Sequence, residues 1–108
     1  MEHLLQVENT FLIKGRGVII TPPLPLPTVG TFRPFRDTVQ LRCPDGTVRD
    51  VVASFELEHL KLVAGGSQTD IAIILQAATK DEIPVGTLVF VHASTRKRLR
   101  GTTDNAAV

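Results

Sequence analysis

The segment Phe11–Thr21 constrains the fold of this chain more than any other. Two stretches rich in apolar and β-branched residues flank the tripeptide Gly15-Arg16-Gly17. Glycine adopts a positive φ at no steric cost, so such a tripeptide is typical of the corner of a β-hairpin. The strand that leads into this corner is predicted from apolar residues at odd positions: Leu5, Val7, Phe11 and Ile13.

Prolines interrupt the pattern after the hairpin. Residues 21–34 contain five of them. Each removes a backbone donor and holds φ near −65°, which disfavours both a helix and a central strand. The sequence therefore predicts an extended loop in this stretch.

Three further signals define the rest of the fold. Pro44-Asp45-Gly46 predicts a tight turn between two strands. Residues 51–57 alternate between apolar and polar, which predicts a half-buried strand with Phe55 and Leu57 on its inner face. Ile71–Leu75 is apolar at every position, so we expect a central strand that is covered on both faces.

These elements predict an all-β fold: a single closed or nearly closed β-barrel of about six, mainly antiparallel strands, since closure removes exposed sheet edges. We expect residues 1–91 to form the barrel; they carry eight basic and ten acidic side chains. Residues 92–108 carry four basic side chains and one acidic one, and they lack apolar periodicity. We expect this segment to be a basic, disordered tail.

Three blocks, in their order along the chain, resemble the β-barrel second domain of the translational GTPases, the domain that follows the nucleotide-binding domain in elongation factor Tu. The blocks are Phe11–Thr21 with its Gly-Arg-Gly corner, Arg36–Leu41 with its early aspartate, and Asp70–Val89 with its apolar strand, acidic turn and Gly86. The chain departs from this family in its proline-rich stretch. It also lacks the phosphate-binding pattern G-x-x-x-x-G-K-[ST], so the resemblance is to the domain standing alone, without the GTPase domain.

The resemblance implies a non-catalytic binding module that contacts protein or RNA of the translation apparatus. Because the phosphate-binding pattern is absent and the sequence contains no recognisable catalytic constellation, we expect no enzymatic activity, no cofactor and no GTP binding by this chain. Glu56 is similar in position to a glutamate that lies near the terminal adenosine of aminoacyl-tRNA in elongation factor Tu. The alternative for Glu56 is an outward carboxylate on a half-exposed strand.

A second function is left open by the proline-rich loop. A small regulatory or inhibitor protein, unrelated to translation, would hold one protein partner through residues 22–35. These prolines are also explained by a rigid connector that crosses one end of the barrel. The predicted partner-binding residues at this rim are Leu24, Leu26, Phe32, Phe35 and Glu56.

The segment after residue 92 contains the densest positive charge in the chain, in Arg96, Lys97, Arg98 and Arg100. Such a cluster can neutralise several phosphates, which makes contact with nucleic acid a hypothesis. No aromatic side chain lies within the cluster to stack a base. A solvated tail is the alternative.

The remaining composition narrows the class of protein. The three histidines and Cys43, the single cysteine, form none of the close pairs typical of zinc sites, so we expect no metal. A single cysteine also precludes an intrachain disulfide. No apolar run approaches the ~20 residues of a membrane span, and the first residues do not resemble a signal peptide. We therefore expect a cytoplasmic protein with no membrane contact and with a protein partner, RNA being the alternative.

Overall fold

A computed structural model of the protein describes residues 1–27, 32–61, 67–77 and 79–100. Within these ranges the chain forms seven strands, one 3₁₀ helix and one α-helix. In chain order they are β1 (Glu2–Gln6), β2 (Asn9–Ile13), β3 (Gly17–Pro25), β4 (Phe35–Arg42), β5 (Val48–Lys61), β6 (Ser67–Leu75), the 3₁₀ helix Lys80–Glu82, β7 (Leu88–Val91) and α1 (Ala93–Leu99).

The strands form one antiparallel sheet in the order β1-β7-β4-β5-β6-β3-β2, which is curled into a half-barrel. The prediction of a mainly β, antiparallel fold is confirmed. The prediction of a closed barrel of about six strands is wrong, because the sheet has seven strands and β1 and β2 lie at its opposite edges.

The seventh strand arises because Val7 and Glu8 divide the predicted first strand into β1 and β2. The backbone N–H of Val7 donates to the carbonyl oxygen of Thr87, just before β7, at 2.8 Å. The N–H of Glu8 donates to the carbonyl oxygen of Thr21 in β3, also at 2.8 Å. The chain therefore leaves one edge of the sheet and joins the other within two residues.

The same crossing exchanges the buried and exposed faces of the chain. Leu5 and Val7 are buried at odd positions, as predicted, whereas in β2 Thr10 is buried and Phe11 is half exposed. Side chains alternate with a period of two, so a shift of one residue moves a whole strand to its other face. The odd-position pattern therefore holds in β1 and fails in β2.

The predicted hairpin around Gly15-Arg16-Gly17 is confirmed. It joins β2 and β3, with Ile13 paired to Gly17 and the N–H of Arg16 bonded to the carbonyl oxygen of Ile13 at 2.9 Å. Both glycines have positive φ, +83° at Gly15 and +125° at Gly17. At Gly17 there is a second reason for glycine besides the positive φ, because a β-carbon there would collide with the carbonyl oxygen of Leu75.

Strand β3 extends into the stretch for which the prolines indicate a loop. Leu24 pairs with Ile71 and Pro25 with Asp70, after an irregularity in the register that follows Ile20. The prediction of a loop is therefore wrong for residues 22–25. The pairing of β3 with β2 ends at Thr21, so these prolines lie where the strand has a neighbour on one side only and fewer backbone donors are needed. Residues 28–31 lie outside the described ranges.

The middle of the sheet follows the predicted pattern closely. The turn at Pro44-Asp45-Gly46 joins β4 to β5, and every residue of Ile71–Leu75 is buried between β5 and β3. Phe55 is buried as expected, but Leu57 is 45% exposed. The pairing of β4 with β5 ends at Phe55, so beyond it β5 has only β6 as a neighbour.

Helix α1 replaces part of the predicted disordered tail, so that prediction is wrong for residues 93–99. Thr95 and Leu99 are buried and lie on one face of the helix, since they are four residues apart. Residues 101–108 lie outside the described ranges. Leu99 joins a core that is built otherwise from Val7, Ile83 and strand residues: Leu5, Val18, Ile20, Val39, Leu41, Ala53, Phe55, Ile71, Ile73, Leu75, Val89 and Val91.

Replacing Ile73 by alanine tests the central position of β6. The side chain is fully buried, so Ile73→Ala should lower the free energy of unfolding by about 2–5 kcal/mol through lost burial and the cavity left behind. Urea denaturation measures the change. Val85→Ala, at a position 61% exposed, is the control and should have little effect; an equally small effect of Ile73→Ala would contradict the placement of the strand.

The two glycines of the hairpin differ in what an added methyl group would meet. Gly15→Ala should cost about 1 kcal/mol, because only the positive φ is unfavourable and the space is open. Gly17→Ala should cost about 3 kcal/mol, because it adds the collision with the backbone of β6. Thermal and urea denaturation of both variants give the comparison, and equal losses would show that the contact with Leu75 is unimportant.

Candidate functional site

Helix α1 is held against the sheet by polar contacts to two strands, β4 and β1. The hydroxyl of Thr95, itself fully buried, donates to Oδ2 of Asp37 in β4 at 2.6 Å. Arg96 donates to the carbonyl oxygen of His3 in β1 at 3.0 Å and lies 3.4 Å from the carboxylate of Glu2. With Leu99 in the core, these contacts fix the position of the helix.

The surroundings of Asp37 favour the charged form of its carboxyl group and lower its pKa. The hydroxyl of Thr95 is the largest influence that lowers the pKa of this carboxyl group. Partial burial opposes the shift, while the N–H of Thr38, at 2.9 Å, and the nearby charge of Arg98 add to it. The anchor of α1 is thus a charge-assisted hydrogen bond, which is stronger than a neutral one.

An aromatic cluster lies next to this anchor. The rings of Phe35 and Phe55 stack with centroids 4.7 Å apart and planes 19° apart, and Phe32 lies 6.1 Å from Phe35 at a tilt of 56°. The guanidinium carbon of Arg98 lies over the ring of Phe35 at 5.1 Å from its centroid. The structure therefore joins two predicted sites, the rim and the basic segment, in one surface.

We call this surface the α1 face and define it by Phe32, Phe35, Lys97, Arg98 and Arg100. The three basic side chains are exposed, whereas both rings are partly buried. Helix α1 contains no acidic residue. The α1 face therefore presents positive charge beside apolar surface.

Leu24 and Leu26, the other apolar residues of the predicted rim, do not stand out from the surface. Both are partly buried and pack against the core, as Phe32 and Phe35 do. Leu24 is held in β3 by its pairing with Ile71. This packing explains why apolar side chains follow the prolines without requiring a partner.

Glu56 lies elsewhere and pairs with the hairpin corner. Its carboxylate is 2.7 Å from the guanidinium of Arg16, and both side chains are more than one-third exposed. Glu56 also alternates with the inward Phe55, so it belongs to the opposite face of β5 from the aromatic cluster.

Sequence reasoning missed Asp37 and Thr95, which position the α1 face. The available signal was the four-residue spacing of Thr95 and Leu99, which places a small and a large side chain on one side of a helix. The charged residues around Thr95 and Leu99 favour a solvated chain, so this spacing alone did not indicate a helix. Because the hydrogen bond to Asp37 spans 58 residues, no local pattern in the sequence indicates it.

Two further observations concern the described residues only. They contain no group of three or more His, Cys, Asp and Glu side chains arranged to hold a metal ion. None of their helices has the length and apolar character needed to cross a membrane.

The sequence matches no protein-family model, and comparison with the curated proteins and with the solved structures also gives no match. Function is therefore inferred from the contacts and charges of the α1 face.

Removing the hydroxyl of Thr95 tests the anchor of α1. Thr95→Val should lower the free energy of unfolding by about 1–3 kcal/mol at neutral pH, because a charged acceptor loses its donor. The folded pKa of Asp37 is lowered, so its contribution is present above the ordinary value of about 4 and is lost as the pH falls through the folded value. The difference between wild type and Thr95→Val should therefore shrink in acid.

Urea denaturation of both proteins at neutral pH and at about pH 3 provides the measurement. Ser94→Ala changes a neighbouring hydroxyl that is exposed, and it should alter stability little at either pH. A deficit of Thr95→Val that is the same at both pH values would show that the charge of Asp37 is not involved.

Proposed function

We propose that the protein is a non-catalytic binding module whose α1 face binds an acidic segment of a protein partner. The observation that carries the proposal is the arrangement of exposed Lys97 and Arg98 on a helix that Thr95 and Leu99 anchor in the fold, with exposed Arg100 directly after it. Charges held on a fixed element lose less conformational freedom on binding than charges on a disordered tail. Complementary charge also accelerates encounter with an acidic partner.

The state of Phe35 favours a protein partner over RNA. Phe55 stacks on its ring and the guanidinium of Arg98 lies over it, so the faces of the ring are occupied within the protein. Single-stranded RNA is usually held by bases that stack on open aromatic faces. Carboxylates need only the charged donors that the α1 face offers at its surface.

The translation apparatus is proposed as the setting of this activity, by analogy of fold alone. The resemblance of the three sequence blocks, which begin with the Gly15-Arg16-Gly17 hairpin, to the second domain of the translational GTPases supports it. The cytoplasmic location belongs to the same proposal, as does the expectation that the chain binds no GTP.

Binding of defined probes tests the proposal. Fluorescence anisotropy should show that a labelled glutamate-rich peptide binds more tightly than a single-stranded RNA of equal length. Lys97→Ala combined with Arg100→Ala should weaken peptide binding by about three- to tenfold, as expected for the loss of two surface charge contacts. Binding should also decrease as salt is added.

The single variant Lys97→Ala is compared with Lys80→Ala as its matched control. Both remove one exposed lysine, but Lys80 belongs to the 3₁₀ helix and not to the α1 face. Only Lys97→Ala should weaken the peptide complex. Tighter binding of the RNA would favour the nucleic-acid hypothesis instead. Equal losses for the two lysines would show that net charge, and not the α1 face, attracts the peptide.

A further inference from the structure

The two edges of the sheet are protected to different degrees. At the β1 edge, the side chain of Arg96 from α1 bonds to the carbonyl oxygen of His3. Strand β2 ends the order at the other edge, and among the described strands it pairs with β3 only. One side of β2 therefore has unpaired backbone groups available for another strand.

The side chains of β2 lack the usual protection of an edge strand. Phe11 is 50% and Leu12 is 52% exposed, and as neighbours they leave apolar surface on both faces of the strand. The strand Asn9–Ile13 contains no charged residue and no proline. An open groove of about 550 Å³ lies beside it, between Phe11 and Leu12 and the exposed residues 79–81. Such an edge is typical of a strand that pairs with another chain.

The charges that flank β2 indicate which chain pairs with it. Glu8 precedes the strand and Lys14 follows it, both are exposed, and neither forms an ion pair with another described residue. Phe11 is the middle residue of the strand. If two copies of β2 pair antiparallel about a twofold axis at Phe11, Glu8 of each copy lies opposite Lys14 of the other.

This register is the only symmetric one that places these opposite charges together. The twofold axis also sets Phe11 beside its own copy and Thr10 opposite Leu12, on matching faces of the continued sheet. In the neighbouring symmetric registers, with the axis at Thr10 or at Leu12, Lys14 would lie opposite an uncharged residue. Glu8 would then face Leu12 or Arg16, and the guanidinium of Arg16 already pairs with Glu56. The strand is therefore complementary to itself in sequence, as a twofold interface requires.

We propose that two copies of the protein associate by antiparallel pairing of their β2 strands, with Phe11 on the twofold axis. The sheet then continues from one copy into the next. The α1 face, packed against β1 and β4 near the other edge, stays accessible in both copies. The inference is independent of the function proposed above.

Sedimentation over a series of protein concentrations measures the association. The mass of the wild type should rise from 11.8 kDa toward twice that value. Glu8→Lys and Lys14→Glu each place like charges opposite one another in the pair, and each should weaken the dimer by about tenfold or more. Circular dichroism should show that both exposed substitutions leave the fold intact.

Mixing the two variants gives the decisive observation. An equimolar mixture of Glu8→Lys and Lys14→Glu restores two opposite-charge pairs across the axis, so it should dimerise about as strongly as the wild type. Asp50→Lys, an exposed charge reversal on the internal strand β5, should dimerise like the wild type. A wild type that stays at the mass of one chain at every concentration would overturn the proposal. So would a dimer that the single variants leave unchanged, or a mixture that stays monomeric.

Discussion

The burial of β6 on both faces is the constraint on which the rest of the structure depends. Five consecutive residues, Ile71–Leu75, are apolar and buried, so apolar surface on either side of this strand has to be covered. Strand β5 pairs with it along its whole length, β3 pairs with it between Asp70 and Leu75, and the sheet is curled into a half-barrel. On the side of the hairpin, the close approach of Gly17 to Leu75 and Ile74 brings the corner against the strand.

The ion pair between Arg16 and Glu56 belongs to this covering of β6. It connects the hairpin corner with β5, the far neighbour of β6. Because both side chains are exposed, the attraction itself contributes little to stability. The ion pair links the hairpin corner to the sheet, and it gives Glu56 a partner within the protein.

Helix α1 illustrates how a highly charged segment can be ordered. Four of the residues from 96 to 100 are basic, which on composition alone favours a solvated chain. Leu99 buries apolar surface, Thr95 bonds to Asp37 and Arg96 bonds to the carbonyl oxygen of His3, and these contacts hold the helix on the sheet. Lys97, Arg98 and Arg100 stay exposed and define the chemistry of the α1 face.

The parts of the fold that were predictable from the sequence depend on local signals. Residues 15–17, 44–46 and 71–75 carry their turn and strand preferences in adjacent residues, and the structure confirms them. The break at Val7 and Glu8 depends on hydrogen bonds to Thr87 and Thr21, which are far away in sequence. Prolines fit in β3 because its pairing with β2 has already ended when the chain reaches them. Helix α1 is held by the side chain of Asp37 in β4. Such features depend on tertiary contacts that periodicity does not report.

The crossing at Val7 and Glu8 also determines where the chain tolerates changes in length. Strand β1, before these two residues, buries a side chain at an odd position, whereas β2, after them, buries one at an even position. The backbone N–H groups of both residues are hydrogen-bonded, that of Val7 beside β7 and that of Glu8 to β3. One inserted or deleted residue here would turn the apolar face of β1 or the buried Thr10 of β2 to solvent. The exposed turn at residues 44–47 lacks this restriction. Over evolution, insertions and deletions should therefore collect at that turn and be rejected at this crossing, although both are short connections between strands.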